Sequence, residues 1–259
     1  MTHVIDILRE NFKQKKGGLK VVDTITKKDN NNLIAIIESN NNNKTKYVLN
    51  DKNSNKYNFD IDETKGKIIS HIPLGLERYI ILLTGASRMG KTALASIYIN
   101  QTIKNITKKV FYISSKNYKD DINLKNIKIK QIQSEDIEDM DIENNFNNSL
   151  LVFDDVDQFS FHKEAINKLN HATEIGRSLG INIIYISHVH TNLIESKIYN
   201  EVNIYATNTI VNNRMLSNNL GFTKEVINEI DNFLQTDPYI IYNKIFDTFM
   251  TDKRIYKLK

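Results

Sequence analysis

The chain has 259 residues, of which 35 are Lys or Arg and 31 are Asp or Glu, so its formal net charge is +4. There is no cysteine, which excludes disulfides and thiolate metal sites. The N-terminus lacks a signal-peptide pattern and no apolar run is long enough to span a bilayer, so we expect a soluble protein that is not secreted and has no membrane segment. The small positive charge permits contact with nucleic acid without requiring it.

Four short segments near the N-terminus have the composition of β-strands. They are 19–25, 33–37, 46–49 and 56–61, and Asn-rich connectors separate them. Short strands joined by polar turns favour a small antiparallel unit. Pro73 and Gly75 then mark a boundary. We therefore predict a small β-rich region at 1–75, for which the sequence indicates no role, and a second domain at 76–259.

From residue 76 onward, apolar strands alternate with helical patterns. The predicted strands are 79–84, 110–114, 150–154, 181–187 and 202–206, and the predicted helices are 91–105, 161–178 and 223–234. Near-continuous apolar runs are typical of parallel strands buried on both faces. The fold class is therefore predicted to be α/β, with a mostly parallel sheet flanked by helices and a ligand at the carboxyl ends of the strands. The stretch 116–148 is predicted to be a surface loop with a short helix, and 239–242 an added edge strand.

A glycine-rich motif, G-x-x-x-x-G-K-T, follows the first of these strands. Its residues are Gly85, Ala86, Ser87, Arg88, Met89, Gly90, Lys91 and Thr92. An apolar strand before the motif and a helical pattern after it are the context of a phosphate-binding loop. The alternative is a chance match in a Gly/Ser/Thr-containing loop, and the flanking strand and helix argue against it. The motif predicts binding of a nucleoside triphosphate.

Phosphate chemistry accounts for these residue types. Gly85 and Gly90 let the backbone bring N–H groups against phosphate oxygens, and the helix that begins near Lys91 points the positive end of its dipole at the same anion. The Lys91 ammonium can reach the β and γ phosphates, and the Thr92 hydroxyl can hold Mg2+. We therefore predict a nucleoside triphosphate and Mg2+ as cofactors, with the loop at 85–92 binding the nucleotide; the acidic motif and the resemblance below indicate ATP.

Two acids, Asp154 and Asp155, follow the apolar residues 150–153. Carboxylates at the end of a buried strand lie at the rim of the sheet, beside the phosphate loop. We predict that Asp154 holds Mg2+ through water and that Asp155 polarises the attacking water. The alternative is a plain polar turn, since Asp is common in turns. The position of the acids, about sixty residues after a phosphate loop, favours the site.

The motifs of GTPases are incomplete in this chain. The D-x-x-G motif fails because Asp157 stands where the glycine is needed, and the segment 243–247 resembles N-K-x-D with its Asp one residue too late. A second acid after Asp154 and a single strand, 110–114, between the two motifs favour ATPases that use an acidic residue to activate water.

A third group of residues lies at 174–188, where a helix ends, a glycine follows and a buried strand leads to His188. A polar residue at the end of this strand would lie between the γ-phosphate and the water, so His188 is predicted to sense the γ-phosphate. One alternative is a solvent-facing loop histidine. Another is a metal pair with His190, against which the lack of cysteine and of a nearby third ligand argues. Arg177 is also compatible with a surface cation favoured at a helix end.

Together, three motifs resemble the FtsK–HerA superfamily of P-loop ATPases, which has a RecA/ASCE-like fold. They are G-x-x-x-x-G-K-T at 85–92, F-D-D at 153–155 and G-R-x-x-G-I-x-I-I-x-I-S-H at 176–188. The short length and the F-D-D further resemble the DNA-packaging ATPases of poxviruses, giant viruses and virophages. The resemblance covers roughly residues 76–210. It implies a homo-oligomeric ring that hydrolyses ATP to move double-stranded DNA into a capsid. A capsid vertex or portal protein is the further implied partner, and the virion or host-cell cytoplasm the implied location.

Carried over by position, the resemblance gives the motif residues their roles. Lys91 and Thr92 bind phosphate and Mg2+, and Asp154 binds Mg2+. Asp155 stands at the place of the catalytic acid, and His188 matches the polar sensor. Two residues depart from the usual pattern, because the acid is more often Glu and the sensor is often Gln.

The resemblance also implies an arginine finger that reaches a neighbouring subunit. Arg177 is the candidate, and we expect it at the sheet rim that faces the nucleotide, pointing toward a neighbour's site. Arg214, after the fifth strand, is the reserve candidate. Two alternative functions stay open. One is another P-loop ATPase of viral DNA replication or assembly, such as a helicase, and the other is a nucleotide-binding virion protein that does not hydrolyse its nucleotide.

Overall fold

The computed structural model describes residues 17–39, 44–61, 66–72, 76, 78–88, 90–157, 163–188, 199–209, 216–218 and 221–258. They divide into two compact units, Met1–Gly75 with Ile241–Lys259, and Leu76–Ile240. No helix of the described part is long and apolar enough to cross a membrane.

The strands are β1 (Gly18–Val22), β2 (Leu33–Ser39), β3 (Thr45–Asp51), β4 (Asn58–Asp60), β5 (Gly66–Ser70), β6 (Ile80–Thr84), β7 (Val110–Ile113), β8 (Lys130–Ile132), β9 (Leu150–Phe153), β10 (Asn182–Ser187), β11 (Ile204–Thr207), β12 (Ile240–Asn243), β13 (Thr248–Met250) and β14 (Arg254–Lys257). The α-helices are α1 (Lys91–Asn105), α2 (Ile142–Asn145), α3 (Lys163–Ile175) and α4 (Lys224–Leu234), and short 3-10 turns lie at Asp29–Asn32, Tyr118–Asp120 and Asp136–Asp139.

The first unit is built from antiparallel strands, as its sequence predicts. Four strands form a sheet in the order β1-β3-β2-β5. The inward residues of this sheet, among them Ile34, Val48 and Ile68, are buried. The sequence analysis did not predict β5. This strand has only two apolar residues, the adjacent isoleucines after Gly66 and Lys67, which is too few for a strand pattern.

The C-terminal segment packs with the first unit. β12, β13 and β14 form antiparallel pairs in chain order, and β14 pairs with β4. Residues 241–259, which the sequence analysis placed with the second domain, therefore complete a sheet with the strand at 58–60. Pairing between segments so far apart in sequence leaves no local pattern, which explains the difference.

The second unit contains the predicted parallel sheet. Its strands lie in the order β11-β6-β10-β9-β7-β8, and every neighbouring pair is parallel. All residues of β6, β9, β10 and β11 are buried, which is why their sequences read as continuous apolar runs. The prediction of an α/β fold with a mostly parallel sheet flanked by helices is confirmed.

The predicted elements of this unit agree with the structure within a few residues. α1 has the predicted bounds, and α4 begins after Thr223, whose side chain accepts a hydrogen bond from the Val226 N–H. The loop predicted at 116–148 contains the expected short helix, α2, but also β8, which has one buried apolar residue in three. Such a short strand gives no period-two signal.

Candidate active site

The parallel sheet brings the sequence motifs to one edge. Because parallel strands share a direction, the residues that directly follow them lie together at the carboxyl edge. Gly85 follows β6, Asp154 follows β9, His188 follows β10, and Asn208 follows β11. The strand that carries Gly85 and the strand that carries Asp154 are separated by β10, so His188 lies between the two motifs.

The glycines of the loop are required by its backbone. Gly85 has a φ of 132° and Gly90 a φ of 82°, in regions that residues with a Cβ rarely adopt. The loop is also anchored to the neighbouring strand end, because the Ala86 N–H donates to Asn208 Oδ1 at 3.0 Å. A Cβ on Gly85 would lie 1.7 Å from that same oxygen. Gly85 therefore allows a close approach that fixes the start of the loop.

The two glycines should respond differently to substitution. Gly85→Ala adds both backbone strain and a clash, so we expect a loss of about 2–4 kcal/mol in the free energy of unfolding and loss of nucleotide binding. Gly90→Ala is the matched control, because its added Cβ meets nothing within 4 Å. Its free energy of unfolding should fall by only about 1–2 kcal/mol, the strain of a residue with a Cβ at this positive φ. Urea unfolding measures both values. Equal losses in the two variants would contradict the role of the Asn208 contact.

Lys91 lies inside the loop that precedes it. Its Nζ donates to the carbonyl oxygens of Gly85 at 2.7 Å and Ala86 at 2.9 Å. Burial lowers the pKa of the Lys91 ammonium, and the charges of Asp155 and Asp154 oppose that shift. Lys91 is thus a cation poorly satisfied by solvent, held where an anion would neutralise it.

Asp154 is buried at the end of β9. The hydroxyl of Tyr112, on β7, donates a hydrogen bond to its Oδ2. Burial raises the pKa of Asp154, the Tyr112 hydrogen bond lowers it, and the neighbouring charge of Asp155 raises it further. A bound cation would relieve the unfavourable burial of this negative charge.

Asp155 joins three elements of the site. Its Oδ1 lies 2.9 Å from His188 Nε2, and its Oδ2 accepts a hydrogen bond from Lys116 Nζ in an ion pair. The backbone of Asp155 has a φ of 56°, a left-handed conformation that costs a residue with a Cβ about 1–2 kcal/mol. Such an outlier persists only when the surrounding contacts fix it.

His188 connects the acid to the phosphate loop. Its Nδ1 lies 3.2 Å from Ser87 Oγ and 3.3 Å from Lys91 Nζ. Its backbone N–H donates to Asp157 Oδ1 at 3.2 Å, which also accepts from the Ser187 hydroxyl. These contacts place the imidazole between the loop and Asp155, where the sequence predicts a γ-phosphate sensor.

The residues present fit a magnesium-bound nucleotide. The first N–H groups of α1 have no partner within the helix, so they can donate to phosphate oxygens. Thr92, half-buried in the first turn of α1, and Asp154 supply the oxygen ligands that Mg2+ prefers. Within the described residues, no three side chains form a cluster that could hold a metal by themselves. Mg2+ would therefore complete its shell with phosphate oxygens and water.

A cavity of about 190 Å³ adjoins the loop. Its lining is Leu83, Thr84, Gly90, Lys91, Ala93, Leu94, Ile97, Ala206, Thr207, Asn208 and Tyr239. The lining therefore combines apolar side chains of α1 with Gly90 and Lys91 of the loop.

Arg177 does not lie where we expected it. α3 ends at Ile175, and the exposed Arg177 lies in the turn that leads into β10. It therefore lies at the amino edge of the sheet, about 20 Å from the loop, given the length of β10. The buried Arg78, just before β6, is near it: burial lowers the pKa of Arg78, and the charge of Arg177 adds to that shift. Arg177 cannot serve the site of its own chain.

Five residues named in the sequence analysis lie outside the described residues. They are Pro73, Gly75, Met89, His190 and Arg214. Four residues of the site were not predicted, namely Tyr112, Lys116, Asp157 and Asn208. All but Tyr112 are polar residues within four positions of the end of a parallel strand. The position near a strand end could therefore have indicated Lys116, Asp157 and Asn208 as site residues. It does not indicate what each side chain contacts.

No family model and no curated protein matches this chain. Among solved structures it is similar to the DNA-packaging ATPase B204 of Sulfolobus turreted icosahedral virus, at 14% identity and a TM-score of 0.47 over 70% of this chain and 98% of that one. It is similar to the genome-packaging NTPase B204 of Sulfolobus turreted icosahedral virus 2 with ATP-gammaS, at 15% identity and a TM-score of 0.48 over 70% and 98%. It is also similar to the pCW3 conjugation coupling protein TcpA, at 11% identity and a TM-score of 0.45 over 87% and 77%.

Proposed function

We propose that this chain is an ATP-hydrolysing double-stranded DNA translocase that packages a viral genome into a capsid. The observation that carries the ATPase part is the meeting of a phosphate loop, two acids and a polar sensor at one sheet edge. Lys91 and Asp155 both contact His188, at 3.3 Å and 2.9 Å. Hydrolysis of a phosphate anhydride needs a cation, here Lys91, and a base, here Asp155, on either side of the reacting phosphorus.

Each residue of the site has a distinct task in this proposal. The loop N–H groups and Lys91 bind the phosphates, and Thr92 and Asp154 hold the cation. When bound, Mg2+ neutralises the charge that develops on the phosphate oxygens. Asp155 orients the attacking water and accepts its proton, and His188 contacts the γ-phosphate from the strand between the two motifs.

The position of Arg177 supports an assembly of several subunits. Its side chain is exposed at the edge opposite its own site, where only another molecule can use it. In a ring of identical subunits with heterologous contacts, the amino edge of one sheet can face the carboxyl edge of the next. We propose that Arg177 completes the neighbour's site. Arg214 keeps its place as the reserve candidate.

Double-stranded DNA is the proposed substrate of the motor, and the motif set at 85–92, 153–155 and 176–188 supports it. A translocase binds the phosphate backbone, so DNA should stimulate hydrolysis without preference for sequence. Raising the salt concentration from 50 to 200 mM should reduce the apparent DNA affinity by about 10³-fold or more if six or more phosphates are contacted. The measurement is steady-state ATP hydrolysis with long double-stranded DNA of two unrelated sequences.

The same assay separates the alternatives. Stimulation by single-stranded DNA with strand separation would favour a helicase. Binding of ATP without turnover, with or without DNA, would favour a non-hydrolysing virion protein. Hydrolysis that no DNA stimulates at any salt concentration would remove the translocase part and leave the ATPase part intact.

A further inference from the structure

The two ring nitrogens of His188 have chemically different partners. Nε2 lies 2.9 Å from Asp155 Oδ1, and a carboxylate oxygen can only accept a hydrogen bond. Nδ1 lies 3.3 Å from the Lys91 ammonium, which can only donate, and 3.2 Å from the Ser87 hydroxyl, which can do either. These partners select one tautomer, in which Nε2 carries the proton and Nδ1 presents its lone pair to the phosphate loop.

The backbone of His188 is held as well as its ring. β10 ends at Ser187, and the Ser187 hydroxyl and the His188 N–H both donate to Asp157 Oδ1, each at 3.2 Å. The side chain of His188 is 28% exposed. A ring with contacts at its backbone and at both nitrogens keeps the same nitrogen directed at the loop, which is the arrangement that a general base requires.

Asp155 has no oxygen left for a water molecule. Its Oδ1 faces His188 Nε2, its Oδ2 forms an ion pair with Lys116, and its side chain is only 6% exposed. A base that takes a proton directly from water needs an oxygen free to accept a hydrogen bond from that water. The imidazole, and not the carboxylate, therefore presents an acceptor to the space beside the phosphate loop.

We propose that His188 transfers the proton of the attacking water to Asp155, so that Asp155 acts as the base through the imidazole and not by direct contact. This rests on the proposed function and deepens it, because it gives His188 a catalytic role in addition to its contact with the γ-phosphate. In the proposed function Lys91 binds the phosphates. Nδ1 of His188 is then open to accept a hydrogen bond from the water.

The step moves two protons and exchanges one bond at phosphorus. As the water oxygen forms its bond to the γ-phosphorus, one water proton passes to His188 Nδ1 and the Nε2 proton passes to Asp155 Oδ1. The bond between the γ-phosphorus and the bridging oxygen breaks, and its electron pair leaves with ADP. After phosphate has left, Nδ1 gives its proton to solvent and Asp155 returns its proton to Nε2, which restores the starting tautomer.

Hydrolysis by His188→Gln is the first test. A Gln amide can still hydrogen bond to a phosphate, but it cannot accept and release a proton. We expect kcat to fall by about 10²–10⁴, the usual contribution of a positioned acid or base, while binding of a non-hydrolysable ATP analogue with Mg2+ changes little. The matched control is His171→Gln. His171 also lies beside a carboxylate, 3.2 Å from Glu143, but on the exposed surface, so this variant should keep the wild-type kcat.

A second substitution tests whether His188 supplies reach. Asp155→Glu lengthens the acid by one methylene group and brings its carboxylate toward the water. In the His188→Gln background, where the imidazole no longer lies between them, it should raise kcat at least about tenfold above that of His188→Gln alone. In the wild-type background it should give no gain, because the imidazole already connects the acid to the water. A purely structural effect of His188 would not be corrected by a longer acid.

The number of moving protons can be counted in the unmodified protein. Single-turnover hydrolysis in mixtures of H2O and D2O gives a rate that depends on the deuterium fraction. Transfer of two protons in the chemical step predicts a plot that bows below a straight line in the wild type. The variant with both His188→Gln and Asp155→Glu transfers one proton and should give a straight line.

The outcomes separate this inference from the proposed function. If the wild type does not hydrolyse ATP, the proposed function fails and this inference fails with it. If the wild type hydrolyses ATP with a straight-line plot, or if His188→Gln keeps a kcat within about threefold of the wild type, only the proton transfer through His188 is refuted. The same conclusion follows if Asp155→Glu brings no gain to His188→Gln.

Discussion

Replacing Lys91 by Ala is expected to lower kcat/KM for ATP by about 10²–10³, the loss that follows removal of one preorganised charge donor. Lys91 is the cation nearest the loop carbonyls of Gly85 and Ala86, and no other described side chain donates to both of them. Burial lowers the pKa of this ammonium, so its removal relieves an unfavourable desolvation in the absence of nucleotide. The variant should therefore fold at least as stably as the wild type.

The measurement is ATP binding by calorimetry together with steady-state hydrolysis. Lys104→Ala, at the exposed last turn of the same helix, is the matched control and should behave as the wild type. Asp155→Asn gives the contrasting result, since it should bind Mg-ATP and lose turnover. Wild-type hydrolysis by Lys91→Ala would show that 85–92 is not the phosphate loop. Equal loss of binding in both variants would contradict the separate roles of Asp154 and Asp155.

The sequence predicted which motif residues lie together at one sheet edge, because they follow the ends of parallel strands. Each apolar run ends at a polar residue, and parallel strands place their ends at one edge. The positions of Lys91, Asp154, Asp155 and His188 at that edge therefore follow from local patterns together with one topological rule. Their contacts do not, since the 2.9 Å approach of His188 to Asp155 depends on side-chain packing.

The parts that the sequence did not predict depend on pairings between distant segments. Lys116 lies in a polar loop with several other lysines, and nothing local distinguishes the one that reaches Asp155. The pairing of β14 with β4 joins residues 254–256 to 58–60 and has no pattern of its own. These features become visible only when the chain is folded.

The expected place of Arg177 was wrong for a reason that the topology itself contains. A helix that connects two parallel strands runs opposite to them, so its end lies at the edge where the next strand begins. Arg177 follows such a helix and precedes β10, and this order alone places it at the amino edge. The corrected position excludes action on the chain's own site, so the proposed role of Arg177 requires a neighbouring subunit.

Replacing Arg177 by Ala should leave ATP binding and assembly intact and lower kcat by about 10³–10⁵, the contribution of an arginine that stabilises the charge developing on the γ-phosphate. The exposed Lys109, at the amino edge beside β7, is the matched control, and Lys109→Ala should keep its activity. Both variants retain Lys91, so a loss seen in only one of them cannot come from the loop. Hydrolysis and sedimentation of the same samples measure rate and assembly together.

The decisive test of the arrangement is a mixture of two inactive proteins. An Arg177→Ala subunit keeps a complete phosphate loop. A neighbouring Lys91→Ala subunit still has its own Arg177 and can place it in that subunit's site. In a randomly mixed ring with equal amounts of both, roughly a quarter of all sites then combine Lys91 with a neighbour's Arg177, so about that share of wild-type activity should return. Arg214→Ala, tested in the same mixture, shows whether the reserve candidate supplies the charge instead. A mixture that stays inactive for both arginines, with a wild type that remains monomeric in the presence of DNA and ATP, would exclude a motor whose sites are completed between subunits.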